Sequence, residues 1–439
     1  MKKTLKKAAL ITLGCPKNQV DSEVVAGMLE SNGVRLTVRP EEADAVLINT
    51  CGFIRDAKRE SIQAVRRCLG LKRADPDKAI VVWGCLAERY RGQIEKKLAG
   101  ADAFFGVEPF DAMARFLIKR PRTRNGSFPV RTISTPPHTA YLKIAEGCDH
   151  ACTFCSIPQF KGHYRSRPME SLVAEAEWLA DQGVREIILI AQDTTAYGSD
   201  LGNGEGLATL LVRLASIRQL RWIRNLYMHP AHVTDGMIEV FSGEKKVCRY
   251  ADMPLQHVAD SVLTAMGRGM SRKEMERLIV KLRRLIPGLT LRSTFIVGFP
   301  GESERAFREL REFVRETRFE RLGIFRYSRE PRTRAAAMRR TVPAAAARKR
   351  HLTLMEMQKR ISSERNRSLE SEVITVLVDG YDVRQGIFFG RSEGDAPEID
   401  QTVWVRGPAV PGQFVDVVVE GSSAYDLFGR PTRLKGAKQ

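Results

Sequence analysis

Three short apolar runs punctuate the first part of the chain: Ala8-Ala9-Leu10-Ile11-Thr12-Leu13, Ala45-Val46-Leu47-Ile48-Asn49 and Ala79-Ile80-Val81-Val82-Trp83. None alternates apolar with polar residues, so a strand made from any of them would be apolar on both faces, as in a parallel sheet covered on both sides. Helix-like stretches such as Ser22 to Asn32 lie between them. The expectation is an open parallel-sheet α/β domain over residues 1–120. Residues 121–137, rich in Pro, Arg, Thr and Ser, read as a linker.

Strand and helix then alternate again, with candidate strands at Tyr141 to Ile144, Glu186 to Ile190, Trp222 to Tyr227, Tyr250 to Met253, Leu291 to Val297 and Leu322 to Tyr327. Ser303 suits a helix N-cap, and Phe307, Leu310 and Phe313 after it share one helical face. Six such units predict a partial (β/α)6 barrel within residues 138–368. In barrels of this kind chemistry gathers at the C-terminal strand ends. The Ala-, Arg- and Lys-rich stretch from Thr341 to Glu370 is helical by propensity and connects the barrel to the last segment of the chain. From Val373 the period becomes strand-like: Val373 to Val378, Gly386 to Phe389, Thr402 to Val405 and Phe414 to Val419. Separated by Gly, Asp and Pro turns, these predict a small antiparallel β-barrel over residues 369–434, a kind that often binds nucleic acid or protein.

A chain of 439 residues fits this division, since domains average about 150 residues. No apolar run approaches the ~20 residues that cross a bilayer, so no membrane is expected. Lys2, Lys3, Lys6 and Lys7 ahead of Cys15 would suit an exported lipoprotein. Ala8 to Leu13, however, is shorter than the roughly 7–15 residues of a signal core, and the same strand-then-cysteine pattern recurs downstream. A cytoplasmic protein is the reading, in which cysteines serve more often as metal ligands or catalytic groups than as disulfide partners. The net charge of +19 points to RNA or a ribonucleoprotein as neighbour, although solubility alone would also account for it.

Six of the eight cysteines fall into two sets. Cys148, Cys152 and Cys155 directly follow the first barrel strand. Three thiolates so closely spaced can hold three irons of a cubic four-iron four-sulfur cluster, leaving the fourth iron open to chelate S-adenosylmethionine (SAM). The alternative, structural zinc, calls for a fourth ligand nearby. Cys15, Cys51 and Cys85 each follow one of the apolar runs. At the C-terminal strand ends of an open sheet they can converge on the ligand crevice, and Gly14, Gly52 and Gly84 beside them would let the backbone approach a bulky group. Ordinary buried cysteines are the alternative there. Cys68 and Cys248 lack such a context and read as packing residues.

The combined pattern resembles the methylthiotransferase family of radical SAM enzymes along nearly the whole chain: a three-cysteine N-terminal domain, a C-x-x-x-C-x-x-C barrel and a C-terminal TRAM β-barrel. Several stretches resemble the branch that modifies a small-subunit ribosomal protein: Gly14-Cys15-Pro16-Lys17-Asn18, Val20-Asp21-Ser22-Glu23, Glu146-Gly147-Cys148, Pro254-Leu255-Gln256-His257, Gly390-Arg391-Ser392 and Asp395-Ala396-Pro397-Glu398-Ile399-Asp400. The tRNA-base-modifying branch, the alternative, usually has Gln-Met-Asn after its first cluster cysteine.

The resemblance implies two 4Fe-4S clusters, a radical SAM cluster on Cys148, Cys152 and Cys155 and an auxiliary one on Cys15, Cys51 and Cys85. It implies that one SAM methylates a sulfur on the auxiliary cluster. A second is cleaved to a 5′-deoxyadenosyl radical that takes hydrogen from the β-carbon of an aspartate on the twelfth small-subunit ribosomal protein. Partners implied are that protein or its ribosomal subunit, a sulfur donor, an electron donor and contact with RNA. Gln192 and Gly298 match family SAM contacts, with a helix cap and a glycine-requiring turn as their alternatives. Catalytic side chains beyond the two clusters are not identified, and general acid/base residues are secondary, because a side-chain base cannot activate such a carbon. His257, Glu146 and Tyr197 are expected to flank the cavity, and no role is carried onto His163 or Tyr164. Asp395, Glu398 and Asp400 are expected to face a basic partner or to form a solvated turn.

Overall fold

The computed structural model describes residues 5–108, 110–118, 121, 126, 128–202 and 204–432. Lys2, Lys3 and part of the expected linker lie outside the described residues. In the N-terminal region β1 (Lys7–Thr12), β2 (Arg35–Leu36), β3 (Ala45–Thr50), β4 (Ala79–Gly84) and β5 (Ala103–Phe104) form one parallel sheet in the order β2-β1-β3-β4-β5. One apolar cluster, with Val25, Leu29 and Leu47, covers one face, and another, with Ile48, Val65 and Leu98, covers the other. Burial on both faces is why the three runs do not alternate. The edge strands β2 and β5 escaped the sequence pattern because two residues carry no period.

The described part of the linker is a pinned strap. Arg131 is buried and holds Glu23 at 3.2 Å on the N-terminal domain and Glu175 at 2.8 Å on the next. A Cβ on Gly27 would lie 2.7 Å from the Val130 carbonyl oxygen, so only glycine allows the helix Pro16–Ser31 to sit this close.

The central strands are β6 (Thr139–Lys143), β7 (Ala145–Glu146), β8 (Arg165–Ser166), β9 (Glu186–Ile190), β10 (Trp222–Asn225), β11 (Tyr250–Asp252), β12 (Thr290–Val297) and β13 (Arg321–Arg326). Parallel sheets β10-β9-β6 and β11-β12-β13 meet through the bridge Ile223 to Val247, giving an open six-stranded barrel. β7 and β8 form a separate antiparallel pair that brackets the loop bearing Cys148, Cys152 and Cys155. Outside the barrel, Leu142, Leu189 and Phe295 pack against helical Leu172, Leu210 and Leu310. Ser303 caps its helix as expected, accepting from the Ala306 N–H at 3.1 Å.

The helix Ala344–Arg367 leads to β14 (Val373–Asp382), β15 (Ile387–Ser392), β16 (Thr402–Val405), β17 (Phe414–Ser422) and β18 (Asp426–Pro431), closed in the order β14-β15-β16-β18-β17. The expected small antiparallel barrel is present, and because an odd ring cannot alternate direction throughout it carries one parallel seam, β16 with β18. β18, a six-residue strand with Gly429 and Pro431, lies outside the strands that the sequence pattern predicts.

The acidic stretch also needs correction. Asp395 is fully buried and accepts from Arg321 at 2.6 and 3.0 Å. Asp400 accepts from the Tyr250 hydroxyl at 2.5 Å and faces Arg292 at 3.5 Å. Only Glu398 is exposed. Neither a partner-facing patch nor a solvated turn results. The segment plugs the inner face of the barrel, where Leu377 and Ala396 join Tyr141, Ile188, Trp222 and Tyr250. Among the described residues no helix is long and apolar enough to cross a membrane.

Candidate functional site: two cysteine trios in one cavity

One cavity of about 370 Å³ is lined by all six candidate cysteines, Cys15, Cys51, Cys85, Cys148, Cys152 and Cys155. Its floor is made by strand ends. Cys15 follows β1 and caps the helix Pro16–Ser31, Cys51 follows β3, and Cys85 follows β4. Asn18 and Asn49 tie these loops together: Asn18 Nδ2 donates to the Leu13 carbonyl at 2.7 Å, and Asn49 Nδ2 to the Asn18 carbonyl at 2.8 Å. Ser61 holds Cys51 by both its N–H and its carbonyl at 3.0 Å.

The neighbouring glycines allow close packing of these loops. Gly84 has φ +90°, and a Cβ there would lie 2.3 Å from Asn49 Oδ1. Gly14, at φ +107°, would place a Cβ 3.0 Å from that of Cys51. They let the cysteine loops approach one another.

On the opposite wall, the Cys148 N–H donates to the Gly162 carbonyl at 3.1 Å and the Thr153 N–H to the Met266 carbonyl at 2.9 Å. Arg268 reaches Cys152 Sγ at 3.5 Å. Burial pushes the thiols of Cys85 and Cys155 up to about 12 and that of Cys148 up to about 11. Such thiols become thiolates when a cation such as iron compensates them. Six convergent soft donors, three on each wall, fit two thiolate-held clusters. Cys68 and Cys248 sit in apolar clusters instead, as the sequence indicated.

Gln192 lines the cavity; its Nε2 donates to Glu146 at 2.5 Å, while its buried Oε1 has no partner. An orphaned acceptor at this place fits a donor such as the SAM ammonium. Gly298 does not line the cavity. It turns at φ +78°, where a Cβ would meet that of Ala347 at 2.6 Å, the constraint of a glycine-requiring turn. Glu146 lies just behind the wall: burial works against its charge, yet Lys143 and Lys161 hold it well below the usual carboxylate range. His257 and Tyr197 do not flank the cavity. His257 is buried against Glu302 at 3.4 Å, and the Tyr197 hydroxyl donates to the Arg167 carbonyl at 2.9 Å.

Residues that the sequence pattern did not single out complete the walls: Lys17 as a charge, Tyr227, Arg268, His150 and His229, with His232 grouped beside the two imidazoles. Asp193 Oδ2 joins His150 Nε2 at 2.7 Å and His232 Nδ1 at 3.0 Å, and the His150 and His229 rings stack 4.2 Å apart. Burial, with Arg268 and His150, pushes His229 down to about 2, so it is neutral. The signal available was the pattern Tyr227-Met228-His229-Pro230-Ala231-His232 after β10, where a strand end opens on the cavity.

Residues 7–106 match the family described as Uncharacterized protein family UPF0004, residues 142–314 the Radical SAM superfamily, and residues 372–431 the TRAM domain. Among solved structures, the radical SAM methyltransferase TsrM from Kitasatospora setae superposes with TM-score 0.57 at 16% identity, over 75% of this chain and 77% of that one. The cobalamin-dependent radical SAM enzyme OxsB does so with TM-score 0.52 at 11% identity, over 81% of this chain and 56% of that one. At such identities the likeness is one of fold. In sequence, the ribosomal protein uS12 methylthiotransferase RimO of Pelotomaculum thermopropionicum is 43% identical, covering 96% of this chain and 98% of that protein. RimO of Caldanaerobacter subterraneus is 44% identical, covering 97% and 100%. With both cysteine trios in one cavity and near full-length identity at this level, the chain belongs to the RimO family of radical SAM methylthiotransferases.

Proposed function

We propose that this chain methylthiolates the β-carbon of an aspartate on ribosomal protein uS12, with two 4Fe-4S clusters and SAM as cofactors. The observation that carries the reading is that Cys15, Cys51 and Cys85 face Cys148, Cys152 and Cys155 across one cavity. When bound, the clusters and SAM supply the radical and the methylthio sulfur, chemistry that no side chain provides. The chain's own part is to hold, orient and keep dry. Each trio would hold its cluster, Gln192 Oε1 would accept from the SAM ammonium, and Phe154, Phe160 and Met228 keep water from the cavity.

The partners on this reading are uS12, free or on its subunit, a sulfur donor and an electron donor, in the cytoplasm. The +19 charge suits an encounter beside ribosomal RNA. The test is mass spectrometry of uS12 and of tRNA from a strain lacking the gene. Loss of the methylthio mass from uS12 alone supports the reading. Loss from tRNA alone would assign the chain to tRNA bases instead.

A further inference from the structure

We propose that Lys17 forms a carboxylate-binding subsite beside the auxiliary trio, which takes the side-chain carboxylate of the substrate residue and so selects aspartate. This rests on the function proposed above and names the contact by which the substrate is chosen.

Three cationic side chains, Lys17, Lys161 and Arg268, line the cavity. Two are committed. Lys161 is paired with Glu146 at 3.1 Å and lies 3.8 Å from Asp21. Arg268 donates to Cys152 Sγ at 3.5 Å and to the Pro254 carbonyl at 2.8 Å, on the wall of the radical SAM trio. Lys17 is different. Among the described residues no carboxylate lies within ion-pair distance of its Nζ, the Glu146 charge acting on it from further off, although the side chain is buried. Its ammonium donates to the Ala191 carbonyl at 3.2 Å and stands 3.8 Å from the centroid of the Tyr227 ring. An ammonium has three donors, and the Ala191 carbonyl takes one of them, which leaves donors to offer a bound anion.

Two further observations make the place suited to an anion. Lys17 is in the first turn of the 16-residue helix Pro16–Ser31, whose N-terminus carries partial positive charge. Tyr227 is held at φ 60°, an unusual conformation for a bulky residue, with its N–H bonded to Asp252 Oδ2 at 3.0 Å. Strain of this sort persists where the surroundings over-determine a position. Here it keeps the ring under the ammonium.

The chemistry of the substrate bears on the same point. The β-carbon of an aspartate is bonded to its carboxylate carbon, so bringing that carbon to the auxiliary trio brings a negative charge with it. Asp21 and Glu146 are already near, and an uncompensated third carboxylate would be repelled. Among the described residues that line the cavity, Lys17 is the cation with neither an ion pair to a carboxylate nor a hydrogen bond to a cysteine sulfur, Cys15 and Glu146 acting on it only from further off.

The test is binding of a fluorescent uS12 peptide, with the target aspartate or with asparagine in its place, to reconstituted wild-type, Lys17→Gln and Lys17→Arg enzymes, with iron content as the control for folding. Wild type is expected to prefer the aspartate form by on the order of 10- to 100-fold, as for a charge-assisted contact. Lys17→Gln is expected to lose that preference by weakening the aspartate form alone, and Lys17→Arg to retain most of it. Three results overturn the proposal: no preference in wild type, a preference that survives in Lys17→Gln, or equal weakening of both peptides with a shifted auxiliary-cluster potential. The last would make Lys17 a counter-charge to the cluster. Should Lys17→Gln fail to load iron, Lys17→Arg decides: full iron with the preference gone overturns the proposal, and the preference kept supports it. If wild type prefers the aspartate peptide yet leaves no methylthio group on uS12, the proposed function fails while the carboxylate subsite stands.

Discussion

Arg391 of the C-terminal barrel reaches Glu186 at the start of β9, NH1 to Oε2 at 2.7 Å, with both side chains buried. The same guanidinium grips Asp379 at 2.7 and 2.9 Å, and Glu186 also accepts from Arg224 Nε at 2.9 Å. Ionic contacts therefore seat the third domain at the end of β9 opposite Gln192 and the cavity. Removing one partner of a buried pair leaves an uncompensated charge. Arg391→Ala is expected to cost about 3–5 kcal/mol in urea unfolding and to open the segment between the helix Ala344–Arg367 and β14 to proteolysis. Unchanged stability would show that the network carries little of the docking.

The pH dependence of this seam has a definite sign. Burial works against the Asp379 charge, but the hydrogen bond with His138 (Nε2 to Oδ1, 3.1 Å) and the Arg391 charge outweigh it and hold the carboxyl below its ordinary value. A depressed folded-state pKa stabilises above the unfolded value and is lost as pH falls through the folded one. The gap in melting temperature between wild type and Asp379→Asn should thus be widest near neutrality and shrink below about pH 4, as carboxylates titrate.

Iron content separates the cysteines. Reconstituted wild type should hold about eight irons, Cys15→Ala or Cys148→Ala about four, as expected for two four-iron clusters. Cys68→Ala and Cys248→Ala should keep the wild-type iron, losing only stability through the small cavity each leaves.

Gly84→Ala tests the loop geometry. At φ +90°, with a Cβ 2.3 Å from Asn49 Oδ1, the alanine forces either Asn49 or Cys85 to move. The expected result is a loss of more than about 1 kcal/mol, with iron lost from the auxiliary trio and retained by Cys148, Cys152 and Cys155. Full auxiliary loading would show that the loops tolerate the shift.

The parallel sheet, the open barrel and the six candidate cluster cysteines could be read from local pattern, because β3 and β4 are apolar on both faces and Cys148, Cys152 and Cys155 lie within one loop. β2, β5 and β18 could not, since two residues or a glycine-bearing strand leave no periodic trace. The acidic stretch was misread because sequence shows charge without its neighbours: Asp395 and Asp400 meet Arg321, Arg292 and Tyr250 only after the C-terminal barrel has docked.

By itself the sequence determined which side chains can bind iron and which segments become strands, since both depend on residue type and short-range spacing. Only the tertiary structure decided that Lys17 meets Tyr227 without a carboxylate, that His257 and Tyr197 turn away from the cavity, and that the two trios share it. These are distances between residues far apart along the chain, set by packing the N-terminal sheet against the strand ends of the barrel.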